Sequence, residues 1–286
     1  MPHAAGLRRL IVPDPVLDVE VPVLTLYPST GDAVPVALGP FEMTVAVESP
    51  VRDGRHPLVV ISHGSGGNPM AYRTLAHYLA RRGCIVALPE HPHNHRLDNR
   101  FGGTIDNLRH RPRTLTAVID HLCATSGLSP HINADTIALI GHSVGAYTAL
   151  TVAGAIPVLP DGERLDVGGY PRVKALVLLA PDGIAGLFEP ETAFERVTAA
   201  VLALAGEKDD LTPATHLAVL ERAFSGSGRF QGRVVSGANH FSFLSPFPES
   251  IAARVGVAAS DPEGFDRVAF HRELEVEVRE FLEAAW

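Results

Sequence analysis

The stretch Gly141-His142-Ser143-Val144-Gly145 narrows what this chain can fold into more than any other. It fits the pattern G-x-S-x-G. The run before it, Thr136-Ile137-Ala138-Leu139-Ile140, is apolar and partly β-branched and reads as a buried strand. The run after it, from Ala146 to Ala153, reads as a helix. A strand, a sharp turn and a helix in that order make a nucleophile elbow, with a serine hydroxyl held at the apex of the turn. The two glycines fit that geometry, because a side chain at either position would crowd the neighbouring strand or helix where the backbone doubles back. The pattern alone arises often by chance, and its flanks are what give it weight.

A serine hydroxyl is a poor nucleophile at neutral pH, so Ser143 needs a base within hydrogen-bond reach and the base needs an orienting acid. In chains with such an elbow the order is serine, then acid, then histidine. Val201-Leu202-Ala203-Leu204-Ala205 is a second buried-strand run, and it ends in Gly206-Glu207-Lys208-Asp209-Asp210-Leu211-Thr212-Pro213. A carboxylate there falls at the carboxyl edge of a parallel sheet, where open α/β sheets place their sites. Asp209 is the expected acid. Asp182, in Ala180-Pro181-Asp182-Gly183 after the preceding strand, is its rival, and Asp210 reads as a neighbour of the helix cap. Gly232-Arg233-Val234-Val235-Ser236 reads as the last strand and leads into Gly237-Ala238-Asn239-His240-Phe241, a loop able to return His240 to the serine. Two backbone N–H groups should face the developing oxyanion. One is the amide of Val144. The other is assigned to Ser65, with Gly64 and Gly66 as alternatives, in the loop Ser62-His63-Gly64-Ser65-Gly66-Gly67 after strand 58–61. That loop carries neither the phosphate pattern G-x-x-x-x-G-K-[ST] nor the dinucleotide pattern G-x-G-x-x-G.

Together with Pro89-Glu90-His91-Pro92, Arg111-Pro112-Arg113 and Asn239-His240-Phe241-Ser242-Phe243-Leu244, these stretches resemble the α/β-hydrolases. More narrowly, they are similar to the dienelactone-hydrolase-like esterases related to platelet-activating-factor acetylhydrolases. The resemblance runs from about residue 57 to residue 244 and implies an α/β-hydrolase fold: a mostly parallel central sheet of about eight strands, helices on both faces and no large cap domain. It implies a serine esterase with Ser143, Asp209 and His240 as the triad. Some acetylhydrolases carry the acid after the earlier strand, where Asp182 stands. Dienelactone hydrolases proper use a cysteine nucleophile, so their substrate does not transfer. Ala146 stands where relatives often have a further glycine.

The remaining features fit one α/β domain over 1–286. A formal net charge of −8 and the lack of a basic run argue against nucleic-acid binding. No apolar run reaches the length of a membrane span. The N-terminal stretch meets charge too early for a signal-peptide core, at Arg8 and Arg9. Cys84 and Cys123 read as free thiols, and the expected location is the cytoplasm. Strand-like segments at 21–26 and 41–47 are expected to pair antiparallel at one sheet edge. Then come helix 70–82, strand 84–88, helix 111–124, helix 144–154, strand 173–180, helix 213–224 and helix 263–283. The last has Asp261 as N-cap, Pro262 at its first position and a buried stripe of Leu274, Val278, Phe281 and Leu282.

Residues 91–110 and 155–172 are irregular and are expected to border the pocket. Gly64, Gly66, His142, Phe241 and Phe243 are expected to line it, with Phe247 as a further apolar candidate. His91, His93 and His95 invite a metal reading, but they follow a strand with a proline inserted, so loop or pocket-wall histidines are expected and no metal or cofactor. His63 and Tyr147 read as structural. The function expected is hydrolysis of a small or medium-sized carboxylic ester through an acyl-enzyme, with a small-molecule ester as the partner and homo-oligomerisation open. An amidase, peptidase or thioesterase with the same triad is the alternative. A slow-turnover receptor on the same fold is the reading from another class.

Overall fold

Side chains alternate between the two faces of a strand, and in this chain that alternation divides the apolar residues between two cores. In β5 (His56–Ser62), Leu58 and Val60 enter one core while Val59 and Ile61 enter the other. In β8 (Val173–Leu179), Leu176 and Leu178 face the first core, and Ala175, Val177 and Leu179 the second. Strands apolar on both faces need helices on both sides. The first core is closed by α2 (Ile105–Ala124), α3 (Val144–Val152) and α4 (Thr215–Ala223), and the second by α1 (Arg73–Ala80) and α6 (Arg267–Ala285). The short α5 (Glu249–Val255) has no buried residue. These are features of a computed structural model, which describes residues 3–213 and 215–286; Met1, Pro2 and the Ala214 of the expected 213–224 helix lie outside the described residues.

The sheet has ten strands rather than about eight. The remaining ones are β1 (Ala4–Asp14), β2 (Val19–Ser29), β3 (Val34–Leu38), β4 (Phe41–Val47), β6 (Ile85–Pro89), β7 (Ile132–His142), β9 (Ala200–Gly206) and β10 (Phe230–Val235). Their order is β10-β9-β8-β7-β5-β6-β2-β1-β4-β3, parallel from β10 to β6. The chain leaves β5 for β6 on one side and then crosses to β7 on the other. The carboxyl ends of β5 and β7 therefore flank a topological switch point, the crevice where such sheets place ligand sites. No helix among the described residues is long and apolar enough to cross a membrane.

Three expectations are corrected. The segments at 21–26 and 41–47 do not pair with each other. β1 lies between them, forming a hairpin with β2 in full register from Ala4↔Ser29 to Asp14↔Val19. Next, α6 starts at Arg267 with Asp266 as its cap, whose side chain accepts from the Ala269 amide (2.9 Å). Gly264 adopts φ 82°, which interrupts any helix begun at Asp261, and Asp261 instead accepts from the Arg267 guanidinium. Finally, α2 begins at Ile105 behind a Thr104 cap, which shortens the irregular stretch expected over 91–110 and leaves Pro112 inside the helix.

A proline inside a helix removes the amide that would bond the carbonyl four residues back. Here that carbonyl belongs to Leu108, and the hydroxyl of buried Tyr147 donates to it (3.2 Å). Tyr147 is therefore structural, as its sequence position suggested. Tyr147→Phe should destabilise the protein by about 1–3 kcal/mol, because a buried acceptor is left unpaired. In a Pro112→Ala background, where the helix can supply its own donor, the loss should shrink. Urea unfolding of the double-mutant cycle measures this, and strict additivity would contradict the account.

Candidate active site

Ser143 follows the last residue of β7 and stands at the N-cap position of α3 with φ 55° and ψ −129°, a conformation non-glycine residues rarely adopt. The turn is held from several sides. The Ser143 amide donates to the Leu179 carbonyl (3.0 Å), and the Ser143 carbonyl accepts from the amides of Ala146 (2.8 Å) and Asp182 (3.2 Å). A Cβ on Gly141 would collide with the Gly145 carbonyl, and one on Gly145 with the Ser62 carbonyl. The expected crowding is thus present at both glycines, and the partner of Gly145 is the end of β5. A Cβ on Gly64 would lie 3.2 Å from the Ser143 Cβ, so the loop after β5 rests directly against the serine. The amides of Ser65 and Val144 have no acceptor among the described residues.

The acid and the histidine come from the next two loops. The carbonyl of Ala238 accepts from the Lys208 amide (2.8 Å), and a Cβ on Gly206 would approach that carbonyl to 2.6 Å. The Glu207 carboxylate accepts from the Gly237 amide (2.7 Å) and the Ser236 hydroxyl (2.9 Å), tying the two loops together. His240 Nδ1 donates to Asp209 Oδ2 at 2.9 Å, and both side chains are almost wholly buried. Asp209 also accepts from the Thr212 hydroxyl (2.6 Å) and from the amides of Leu211 (2.9 Å) and Thr212 (2.8 Å). Burial works to raise the Asp209 pKa, but the hydrogen bonds from His240 and Thr212 outweigh it and hold the carboxyl at about 2. Asp182 meets the elbow through its backbone, and its carboxylate accepts from the Gly183 amide (2.6 Å). Of the two rival acids, Asp209 is the one in contact with His240.

A chain of hydrogen bonds links these loops beneath the surface. The Gly64 amide donates to the Tyr72 hydroxyl (3.2 Å), which donates to His142 Nδ1 (3.0 Å). His142 Nε2 donates to the His240 carbonyl (2.9 Å). That assignment requires a neutral His142, and burial, followed by the charge of His240, pushes its pKa down to about 3. His142 is therefore a buried brace and not a pocket wall. Phe243 is also displaced from its expected role: it is buried in the second core, edge-on to Phe270 at 5.6 Å, and has no surface to offer a ligand. Phe247 turns to Phe41 (6.4 Å). Phe241 stays half-buried and edge-on to the His240 ring at 5.2 Å.

The histidines near residue 91 are engaged separately. His91 is buried with Nε2 on the Ser62 hydroxyl (2.8 Å), His93 bonds Asp98 (2.9 Å), and His95 lies 3.5 Å from Glu90. His63 is buried between the Gly64 carbonyl (2.7 Å) and the His91 amide (3.1 Å), the structural part expected of it. The segment after β6 is tied to the loop after β5: the Arg96 amide donates to the Gly67 carbonyl (2.9 Å) and Asn94 to the Ser65 hydroxyl (3.0 Å). Stretch 155–172 joins the start of α2 through Arg109, which pairs with Asp161 and with Glu163 (2.7 Å).

Solved structures of other proteins share this fold. A ferulic acid esterase from Streptomyces cinnamoneus superposes with a TM-score of 0.69 at 19% identity, over 99% of this chain and 90% of that one. A dienelactone hydrolase-like promiscuous phosphotriesterase from metagenomic libraries superposes with a TM-score of 0.64 at 18% identity, over 98% of each chain. The chain has the α/β-hydrolase fold. Residues 24–97 match the family model of platelet-activating factor acetylhydrolase, isoform II. No curated protein matches the sequence.

Within this α/β-hydrolase fold, sequence reasoning missed Thr212, Tyr72, Asn94 and the internal role of Arg111. Thr212 had a local signal, since Asp209-Asp210-Leu211-Thr212 is a turn in which an aspartate accepts from residues just ahead. Tyr72 had none, because its partner His142 is distant in sequence. The depressed pKa of Asp209 also fixes a pH dependence. A carboxyl at about 2 in the fold, against an ordinary 3.8, contributes stability that is complete above about 4 and lost as pH falls through 2. The stability gap between wild type and Asp209→Asn in urea unfolding should therefore be constant down to about pH 4 and narrow below it. A gap independent of pH would contradict the hydrogen-bonded carboxylate.

Proposed function

We propose that this protein is a serine hydrolase that cleaves a carboxylic ester of small or medium size through an acyl-enzyme. The observation that carries the reading is the 2.9 Å contact of His240 Nδ1 with Asp209, in a loop bonded through His142 to the end of the strand that the strained Ser143 follows. In this reading Ser143 Oγ attacks the substrate carbonyl carbon and gives its proton to His240 Nε2. Asp209 holds the histidine in the tautomer with Nδ1 protonated and stabilises the imidazolium that forms. The free amides of Val144 and Ser65 receive the oxyanion. The tetrahedral intermediate collapses as His240 returns the proton to the leaving alcohol. Water, deprotonated by His240, then attacks the acyl-Ser143 ester; the bond to Ser143 Oγ breaks as His240 returns that proton to it, and the acid is released.

An ester is favoured by the comparisons, since one structural neighbour is a ferulic acid esterase and the matched family model is an acetylhydrolase. Phe241, half-buried and edge-on to His240, is an apolar surface that an acyl or alcohol group could meet. The two free cysteines, Cys84 and Cys123, suit a reducing compartment, and the proposal includes a cytoplasmic location.

With a chromogenic aryl ester, Ser143→Ala should lower kcat by about four or more orders of magnitude while the protein stays folded by circular dichroism. Asp209→Asn should lower kcat by about three to four orders of magnitude, and Asp182→Asn by far less. Comparable activity in Ser143→Ala, or the reverse order of the two aspartates, would overturn the assignment. The steps above call for no Lewis acid, so turnover should survive EDTA. Loss on chelation with recovery in zinc would return attention to His91, His93 and His95.

A further inference from the structure

Arg111 is buried in α2, and a buried guanidinium ordinarily has a carboxylate partner because removing its charge from water is costly. Among the described residues Arg111 has none. Its hydrogen bonds go to the Thr148 hydroxyl (3.1 Å), the Ser62 hydroxyl (3.2 Å), the Asn94 side-chain oxygen and the His63 carbonyl. The nearby rings are neutral as well: burial, then the charge of Arg111, drives the pKa of His63 to about 3 and that of His91 well below its ordinary value. Burial lowers Arg111 itself to about 9, which leaves it cationic at neutral pH. Arg109 and Arg113 on the same helix show the contrast, since both reach acidic side chains at the surface.

The partners of Arg111 lie on three segments: the end of β5 with the loop after it, the stretch after β6, and α3. The His63 carbonyl belongs to the loop after β5, and Asn94 extends the contact by donating to the Ser65 hydroxyl (3.0 Å). Thr148 belongs to α3, and while it accepts from Arg111 it donates to the Val144 carbonyl (3.0 Å). One guanidinium therefore grips the two stretches whose amides, Ser65 and Val144, have no acceptor among the described residues. We infer that Arg111 is a positioning residue for the oxyanion site: it fixes both amide-bearing segments and leaves its own charge uncompensated behind them. Charge developing on the substrate oxygen then meets a fixed positive field in a site of low dielectric, whereas the neutral ground state gains little from it. A carboxylate beside Arg111 would cancel that field. The inference rests on the serine-hydrolase reading above.

Asn94→Asp tests the charge, because it sets a carboxylate against the guanidinium and retains an acceptor for it; it also gives up the donor to the Ser65 hydroxyl, a loss that Ser65→Ala measures alone and that should cost less than Asn94→Asp. We expect an intact fold and a KM for a neutral aryl ester within about twofold of wild type. We expect kcat to fall about ten- to a hundredfold, less than the loss of an oxyanion donor outright. Affinity for a trifluoromethyl ketone, which binds serine hydrolases as an oxyanion hemiketal, should fall by the same factor. Arg111→Lys keeps the charge and loses the fork, so it should melt lower than Asn94→Asp yet retain the higher kcat. A folded Asn94→Asp with wild-type kcat and ketone affinity overturns the inference, as does activity that simply follows melting temperature across the two variants. A wild-type protein that hydrolyses no ester and is unlabelled at Ser143 by a phosphonate refutes the hydrolase reading itself, a failure distinct from that of Arg111.

Discussion

The approach of Gly145 to the carbonyl of Ser62 is the contact on which the rest of the site depends. It presses the turn between β7 and α3 onto the end of β5, with no room for a side chain between them. The strain at Ser143, with φ 55°, is sustained because neighbouring strands hold the turn through the Leu179 carbonyl and the Asp182 amide. The same closeness sets Gly64 against the Ser143 Cβ, so the loop after β5 and the start of α3 meet at the serine. A switch point in strand order creates the crevice, and this contact decides what fills it.

Around that contact the polar groups are organised so that neutrality and charge each have a place. His142 is kept neutral by burial and serves as a relay between Tyr72 and the His240 loop. His63 and His91 are likewise neutral and spend their ring nitrogens on local bonds. The charged groups are Asp209, buried but surrounded by four donors, and Arg111, buried among neutral acceptors. In the proposed reaction a site laid out this way holds its polarity before substrate arrives, so little reorganisation is needed as charge develops.

Strand periodicity made the centre of the sheet legible in the sequence. Runs 136–140, 173–180 and 201–205 all coincide with strands, because buried parallel strands are apolar on both faces and bounded by turn residues, while the run Gly232–Ser236 falls on β10, an edge strand exposed over most of its length. The elbow and the loops with Asp209 and His240 follow from those strands. The edges were less legible. The β1–β2 hairpin includes Arg8 and Arg9, whose charges hide a strand half exposed on one face. The start of α2 was obscured by Pro112, since nothing local announces that Tyr147 will satisfy the carbonyl the proline abandons. Phe243 and His142 have the side chains expected of a pocket wall. Their burial depends on α6 and on Tyr72, which only the tertiary fold brings to them.

The central claim is that Ser143 carries the acyl group between attack and release. Rapid quenching of a burst with an aryl ester, followed by proteolysis and mass spectrometry, reads this directly. The account predicts an acyl mass increment on the peptide containing Ser143, rising within the burst and decaying at the steady-state rate. Turnover with an unmodified Ser143 peptide at every quench time, and oxygen from labelled water entering the acid in a single step without an adduct, would contradict it.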